Sequence, residues 1–142
     1  MTSTKIFVDS DVVISSLISK NGAAYILLFK TKNLEALISN FSKKELYMVA
    51  KNLKIKREKL KKLIKERLKI LKLKKNLAEI KKEFKDYVTD SNDCHILAGA
   101  VYTKVNFLVS YNLKHFKIEK IKNSFKIITL TPGKFLQYLR SL

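Results

Sequence analysis

The sequence predicts one α/β domain with a three-layer α/β/α arrangement, in which helices cover both faces of a central, mainly parallel, twisted sheet of four to five strands. Two observations predict this class. Short apolar runs rich in β-forming residues alternate with longer segments of helical periodicity. The 142 residues are 46% hydrophobic, with three glycines and one proline, which suits a single core over residues 1–142 better than two small domains.

The first third of the chain predicts alternating strands and helices. An acidic turn separates the first apolar strand from the helix that follows it. Ser42 and Glu45 have the S-x-x-E spacing of a capping box, so Ser42 or a neighbour is the expected N-cap of the third helix. The predicted elements are a strand at 5–8, helices at 12–17 and 23–30, a strand at 36–39 and a helix over about 42–53.

The rest of the chain predicts long helices and then short buried strands. Leu60, Leu63, Ile64 and Leu71 keep a helical stripe, which predicts an amphipathic helix with a basic outer face. The later predicted elements are a helix marked by Leu77, Ile80 and Phe84, a polar loop at 90–93, a buried helix over 96–101, strands at 106–110 and 126–130, and a last helix opened by Pro132.

Positive charge is the strongest global feature. Thirty Lys and Arg against 12 Asp and Glu give a net charge of +18. Residues 51–85 hold sixteen basic residues against four Glu, which is +12 of that excess. A polyanionic partner, RNA, is the natural inference. The alternative is biased composition, since nearly all the basic residues are Lys, and a solvated helix face is the ordinary reading of such a run.

Several classes of protein fit the sequence poorly. Cys94 is the only cysteine, so no internal disulfide and no zinc-finger spacing is present, and we expect it to be a small buried apolar residue. Asp9 and Asp11 interrupt the first apolar stretch, which argues against a signal peptide, and no apolar run is long enough to cross a bilayer. We therefore expect a soluble, cytoplasmic protein that does not act at a membrane.

Acidic residues stand where predicted strands end or buried helices begin. In open parallel sheets, ligands bind beyond the carboxyl ends of the strands. Asp9 follows the first strand, residues 110–112 follow a later one, and Glu45 and Asp93 are expected in the first turns of nearby helices. Converging carboxylates repel one another unless a cation joins them, and an all-oxygen site suits Mg²⁺ or Mn²⁺.

Each acidic residue also has an ordinary explanation. Helix capping alone would account for Asp90 or Glu45. Asp9 is harder to explain in this way, because a charge that directly follows a buried strand needs a partner.

Four motifs and one pair of residues, in order along the chain, resemble those of PIN domains. FVDSDVV at 7–13 resembles their opening acidic motif, and Ser39 with Glu45 resembles their strand-end serine and second acid. VTDSNDCHILA at 88–98 is similar to the third-acid motif, and LVSYNLKHF at 108–116 to the strand and loop that follow. The ending LTPGKFL at 130–136 resembles the last helix of one PIN subgroup.

The resemblance implies a PIN-like fold and a Mg²⁺- or Mn²⁺-dependent endoribonuclease. It also implies the toxin of a type II toxin–antitoxin pair, a small antitoxin partner and a homodimer. Carried over by position, Asp9, Glu45 and Asp93 are the catalytic acids and bind the metal. Asn112, the fourth metal-site residue, stands where many PIN nucleases have Asp, so a second ion should bind more weakly. The alternative function is a catalytically weakened or inactive PIN-fold module that binds RNA or a protein partner.

Further residues are expected to support the site. Those expected to hold phosphate or to orient ligands and waters are Ser10, Asp11, Ser39, Asp90 and Ser110. Those expected to bind RNA are Lys56, Arg57, Lys61, Lys65 and Lys114.

Histidines and tyrosines are weaker candidates. His95 lies about 200° around a helix from Asp93, which favours a surface or packing role. His115 in a basic loop is expected to be exposed or to contact phosphate. The tyrosines at core-like spacing, Tyr47, Tyr102 and Tyr138, are expected to pack, with base stacking as the alternative.

Overall fold

A fully parallel five-stranded sheet forms the centre of the protein, whose computed structural model describes residues 3–142. The strands are β1 (Thr4–Val8), β2 (Leu34–Ser39), β3 (Leu68–Leu71), β4 (Phe107–Val109) and β5 (Ile128–Leu130). Their order across the sheet is β3-β2-β1-β4-β5, and every neighbouring pair is parallel. The predicted α/β class and strand number are confirmed.

Eight α-helices connect and cover the strands within residues 3–142. They are α1 (Ser10–Ile18), α2 (Ala23–Tyr25), α3 (Asn40–Asn52), α4 (Arg57–Arg67), α5 (Leu77–Phe84), α6 (Cys94–Tyr102), α7 (Ile118–Phe125) and α8 (Pro132–Arg140). Helix α2 continues as a π-helical segment, Ile26–Lys30, and short 3₁₀ turns stand at Lys85–Tyr87, Ser91–Asp93 and Leu113–His115. In this part of the chain no single helix could span a membrane, and only α1 with the 23–30 segment, bent by 102°, reaches the needed length and apolarity.

Strand β1 explains the three layers. Its residues Ile6, Phe7 and Val8 are all fully buried, as expected for a central parallel strand. Ile6 and Val8 pack in a core with α1, α3, α4 and α8, whereas Phe7 packs on the other face with α5, α6 and α7. Because successive side chains of a strand point to opposite faces, one strand serves both cores.

The strand order places a crevice at the ends of β1 and β4. Strand β1 lies between β2 and β4, and the chain leaves β1 into α1 on one face and β4 into α7 on the other. Such a reversal of connections is the switch point at which open α/β sheets bind ligands. The residues that follow Val8 and Val109 therefore lie at this switch point.

The helix predicted to continue through Leu71 ends earlier. Helix α4 stops at Arg67, and Leu68–Leu71 form edge strand β3, paired with β2 from Ala36 to Ser39. Leu68 and Leu71 fit both a helical stripe and a strand, so periodicity could not separate them. Pairing with β2, a tertiary contact, decides the strand.

Two further predictions are corrected at helix ends. Ser39, not Ser42, is the N-cap of α3, because its Oγ accepts a hydrogen bond from Ser42 N at 3.1 Å. Glu45 therefore lies in the second turn of α3, and Ser42 and Glu45 form no capping box. A capping box is instead formed by Asn76 and Glu79 at the start of α5.

One further helix and three single residues can be compared with the sequence predictions. Helix α7 (Ile118–Phe125) has no counterpart among the sequence predictions. Cys94 is fully buried, as predicted. Tyr138 packs against Phe107 with ring centroids 4.9 Å apart, and Tyr102 packs edge-on against Phe84.

Gly99 on α6 allows the helix to lie directly on Phe7. A methyl group at Gly99 would overlap the Phe7 ring, whereas one at Gly133 would meet nothing within 4 Å. We expect Gly99→Ala to lower the free energy of unfolding by about 1–3 kcal/mol or more through overpacking. The control, Gly133→Ala in α8, should raise it by about 0.5–1 kcal/mol. Urea unfolding measures both, and equal effects would contradict this packing.

Candidate active site

Asp9 lies at the switch point, directly after β1. It is 7% exposed, and its backbone N–H donates to the carbonyl of Val109 at 2.9 Å. Its Oδ1 accepts from Ser10 N at 2.7 Å and its Oδ2 accepts from Ser110 Oγ at 2.8 Å. The carboxylate is therefore fixed between the ends of two neighbouring strands.

The charge of Asp9 is costly in this position. Burial, with smaller contributions from the charges of Asp11 and Asp93, raises its pKa to about 7, although the hydrogen bonds from Ser110 and Ser10 act in the opposite direction. A nearby cation would remove this cost, because it favours the ionised carboxylate. Among residues 3–142, Asp9 forms no ion pair that would compensate its charge.

Asp11 connects the first turn of α1 to the loop after β4. Its Oδ2 accepts from Tyr111 N at 3.1 Å and lies 3.5 Å from Ser110 Oγ. Its Oδ1 is buried and has no hydrogen-bond partner among the residues that the structure describes. Burial raises the pKa of Asp11 as well. A buried unpaired carboxylate oxygen is the kind of group that a cation or an ordered water satisfies.

Glu45 reaches the site from α3. Its Oε1 accepts from Ser10 Oγ at 2.9 Å, and its Oε2 lies 3.1 Å from His95 Nε2. The hydrogen bond with His95 is the main cause that lowers the pKa of Glu45. Ser10 therefore contacts two of the predicted acids, Asp9 through its backbone N–H and Glu45 through its hydroxyl.

His95 is not at the surface, and its packed side chain also contacts a site acid. His95 is 7% exposed and contacts a predicted site acid, Glu45. The sequence predicted only the angle between His95 and Asp93 around their common helix. The side of α6 that turns away from Asp93 faces α3, and this arrangement depends on how the two helices pack.

Asp93 stands at the N-terminus of α6, as predicted. Its Oδ2 lies 3.2 Å from Nδ1 of His115, whose side chain is 37% exposed. Burial raises the pKa of Asp93, the charge of His115 lowers it, and the charges of Asp90 and Glu45 raise it. Each of the two outer acids, Glu45 and Asp93, thus has a histidine beside it.

The remaining predicted residues lie at different distances from this centre. The backbone N–H of Asn112 donates to Ser110 Oγ at 3.0 Å, and its side chain is half-buried. Ser39 is buried and caps α3. Asp90 is exposed, and its Oδ1 accepts from Asn92 N at 2.9 Å, which caps the turn before α6.

The donor set fits a hard divalent cation in its chemistry. Carboxylate and amide oxygens of Asp9, Glu45, Asp93 and Asn112 are the ligands that Mg²⁺ and Mn²⁺ prefer. The charge of Asp93 raises the pKa of Asp9, and the charge of Glu45 raises the pKa of Asp93. Between residues 3 and 142, however, no three acidic, histidine or cysteine side chains are gathered closely enough to hold an ion. To bind an ion together, these side chains would have to move closer to one another.

Removing the charge of Asp9 should stabilise the metal-free protein at neutral pH. The pKa of Asp9 is higher folded, about 7, than unfolded, so its ionisation lowers the free energy of unfolding as pH rises from about 4 to 7. We expect the free energy of unfolding of Asp9→Asn not to decline in this way. Relative to wild type, the variant should therefore gain a few kcal/mol between about pH 4 and about pH 8. Urea unfolding in EDTA measures it. Parallel pH curves for the two proteins would contradict the prediction.

The pKa of Glu45 should depend on His95. We expect His95→Ala to raise the pKa of Glu45 toward its ordinary value, because the main hydrogen bond to the ionised carboxylate is lost. His95→Gln, which keeps a donor, should raise it less. Carbon-13 NMR titration of the carboxyl groups without metal measures it, with His115→Ala as the control. An unchanged pKa in His95→Ala would show that the contact with His95 is not maintained in solution.

Comparison with known proteins places this geometry in a family. Residues 5–114 match the family model for the PIN domain. No curated protein sequence matches the chain. The solved structures that share its fold include a toxin–antitoxin complex from Klebsiella pneumoniae, VapBC2 from Rickettsia felis bound to a DNA fragment from their promoter, and PAE2754 from Pyrobaculum aerophilum.

The likeness to these structures extends over nearly the whole chain. For the Klebsiella complex, identity is 20%, the TM-score is 0.65, and 89% of this chain and 97% of that chain are covered. For VapBC2 the values are 21%, 0.59, 89% and 97%, and for PAE2754 they are 17%, 0.63, 98% and 97%. At these identities the structures show a common fold. The family match over most of its length shows that the chain belongs to the PIN-domain family, in agreement with its sequence motifs and its fold.

Proposed function

We propose that this protein is a divalent-metal-dependent endoribonuclease that cleaves RNA phosphodiester bonds. The observation that carries the proposal is the buried Asp9 carboxylate at the switch point, whose pKa is raised to about 7 by burial and by neighbouring acids. Perturbed acids in a cleft are characteristic of functional sites. Membership of the PIN-domain family, which is generally a family of nucleases, supports the same activity.

Asp9, Glu45 and Asp93 are the residues proposed to hold Mg²⁺ or Mn²⁺, with Asn112 as a weaker ligand. When bound, such an ion supplies a water of lowered pKa and neutralises charge on the phosphate. The Ser110 hydroxyl orients Asp9 at 2.8 Å, and the Ser10 hydroxyl orients Glu45 at 2.9 Å. These serines fix the directions of the carboxylates.

Basic residues of α4 and its N-cap residue Lys56 are proposed to attract the RNA backbone. Lys56, Arg57, Lys61 and Lys65 are all exposed. The Arg57 guanidinium lies 4.5 Å from the centroid of the Tyr47 ring, so Tyr47 helps to hold it. Lys114 is also exposed and lies in the turn after β4, two residues beyond Asn112. Lysine and arginine side chains neutralise phosphates without reading sequence.

We further propose that the protein is the toxin of a type II toxin–antitoxin pair, a homodimer that acts in the cytoplasm. Two of the structures with the same fold are a toxin–antitoxin complex and a VapBC2 complex. A reading frame for a small antitoxin just upstream of this gene, whose product co-purifies with this chain, would support the pairing.

A second candidate function is a non-catalytic module of the same fold that binds RNA or a protein. Two observations favour it. Asn112 stands in place of the usual fourth Asp, and the acids of the described residues are not gathered into a group of three. In this case the lysines would bind RNA without cleavage.

Cleavage of a structured RNA with Mn²⁺ separates the two functions. We expect wild type to cleave, Asp9→Asn to lose about 100-fold or more because a metal ligand is gone, and Asn112→Asp to gain severalfold because a charged ligand is added. Gel analysis of initial rates measures all three proteins. The control is Asp86→Asn, an exposed acid outside the site.

The opposite result would support the second candidate function. If no metal supports cleavage by wild type or by Asn112→Asp, and Asp93→Asn binds RNA as tightly as wild type, the protein is a binding module.

A further inference from the structure

A cavity of about 340 Å³ opens beside Glu45, between helices α3, α5 and the start of α6. We propose that it is a subsite for one unpaired nucleobase of the RNA, next to the phosphate that is cut. This inference rests on the proposed ribonuclease function and names the form of substrate that the site takes. The volume lies in the usual range for small-ligand pockets.

Apolar and aromatic groups line much of this base cavity. Phe41 on α3 is half-buried, and its ring centroid lies 6.2 Å from that of His95. Ile80 is fully buried, while Leu77 is 42% exposed, large for an apolar side chain. Every nucleobase has flat apolar faces, and aromatic or apolar walls are the surfaces on which such faces pack.

Two lysines border the base cavity on different helices. Lys44 projects from α3 and Lys81 from α5, and both line the cavity. Within residues 3–142 neither forms a salt bridge, whereas Lys5, Lys69 and Lys75 do. Free ammonium groups on two sides of an apolar cavity suit the phosphates that flank a bound base, because they attract the backbone without restricting the base.

The turn before α6 supplies polar groups for the edge of a base. Ser91 and Asn92 both line the cavity and are exposed, so their side chains are accessible to a ligand. The bond from Asn92 N to Asp90 Oδ1 fixes the turn. An Asn amide offers both donors and an acceptor, and a base presents its Watson–Crick edge to such groups only when it is unpaired.

The position of the base cavity connects it to the acids. Glu45 lines the cavity with its carboxylate also bonded to Ser10, which in turn contacts Asp9. Asn92 directly precedes Asp93. A base in the cavity would therefore place its adjoining phosphate toward the acidic centre, and a base held in a duplex could not enter.

Binding of short RNA in EDTA tests the subsite without any cleavage. The probe is a fluorescein-labelled single-stranded oligoribonucleotide of about 12 nucleotides, compared with oligonucleotides of the same sequence that carry one abasic ribose at each position in turn. Fluorescence anisotropy gives Kd for the full chain. We expect one abasic position to weaken binding by about fivefold or more, since one stacked base is lost.

Matched variants assign that loss to the cavity. Asn92→Ala should weaken binding of the intact probe severalfold but not that of the abasic probe, whereas the exposed Asn52→Ala should change neither. Lys44→Ala with Lys81→Ala should weaken binding more than the control pair Lys43→Ala with Lys82→Ala. Both pairs remove two charges from the same two helices.

Three outcomes decide between the two proposals. If the two lysine pairs weaken binding equally, or if Asn92→Ala weakens binding of intact and abasic probes alike, the base subsite is overturned. If the cavity variants behave as expected but no metal supports RNA cleavage, the subsite stands and the nuclease function fails. If cleavage occurs while no abasic position matters, the nuclease stands and the subsite fails.

Discussion

Burial of the Asp9 carboxylate between the ends of β1 and β4 is the constraint on which the rest of this structure depends. Strand β1 is covered on both faces, so the chain leaves it from the middle of the core, and the first residue outside is an acid. Two hydrogen bonds, from Ser10 N and Ser110 Oγ, hold it there. They reduce but do not cancel the cost of desolvation, and the site is organised around that remaining cost.

The outer acids are held differently from Asp9. Glu45 and Asp93 are each paired with a histidine from another part of the chain, His95 and His115, at 3.1 and 3.2 Å. A histidine is a modest partner, since it is charged only when protonated, and a strongly charged ligand can displace it. The structure therefore combines one carboxylate held by a backbone N–H and a hydroxyl with two that lie beside histidines.

Charge is divided between the surface and the centre. Lysines dominate the exposed faces of α4 and the loops beside it, while the acids lie at the switch point. A long-range positive field draws a polyanion to the surface, and short-range acids would repel it unless a cation is present. The base cavity is lined both by an acid, Glu45, and by two lysines, Lys44 and Lys81.

The sequence by itself determined the fold class, most elements and the order of the motifs. Helical and strand periodicity, together with acids at strand ends, are local properties, and they predicted β1, β4, the final helix and the position of Asp9 at a sheet edge. Only the tertiary structure decided β3, because Leu68–Leu71 become a strand through pairing with β2. It also decided the roles of His95 and His115, which depend on α6 packing against α3 and on the loop after β4 returning to Asp93. Periodicity in the sequence does not reveal contacts between side chains that are distant along the chain. The partners of the acids could therefore be identified only in the packed structure.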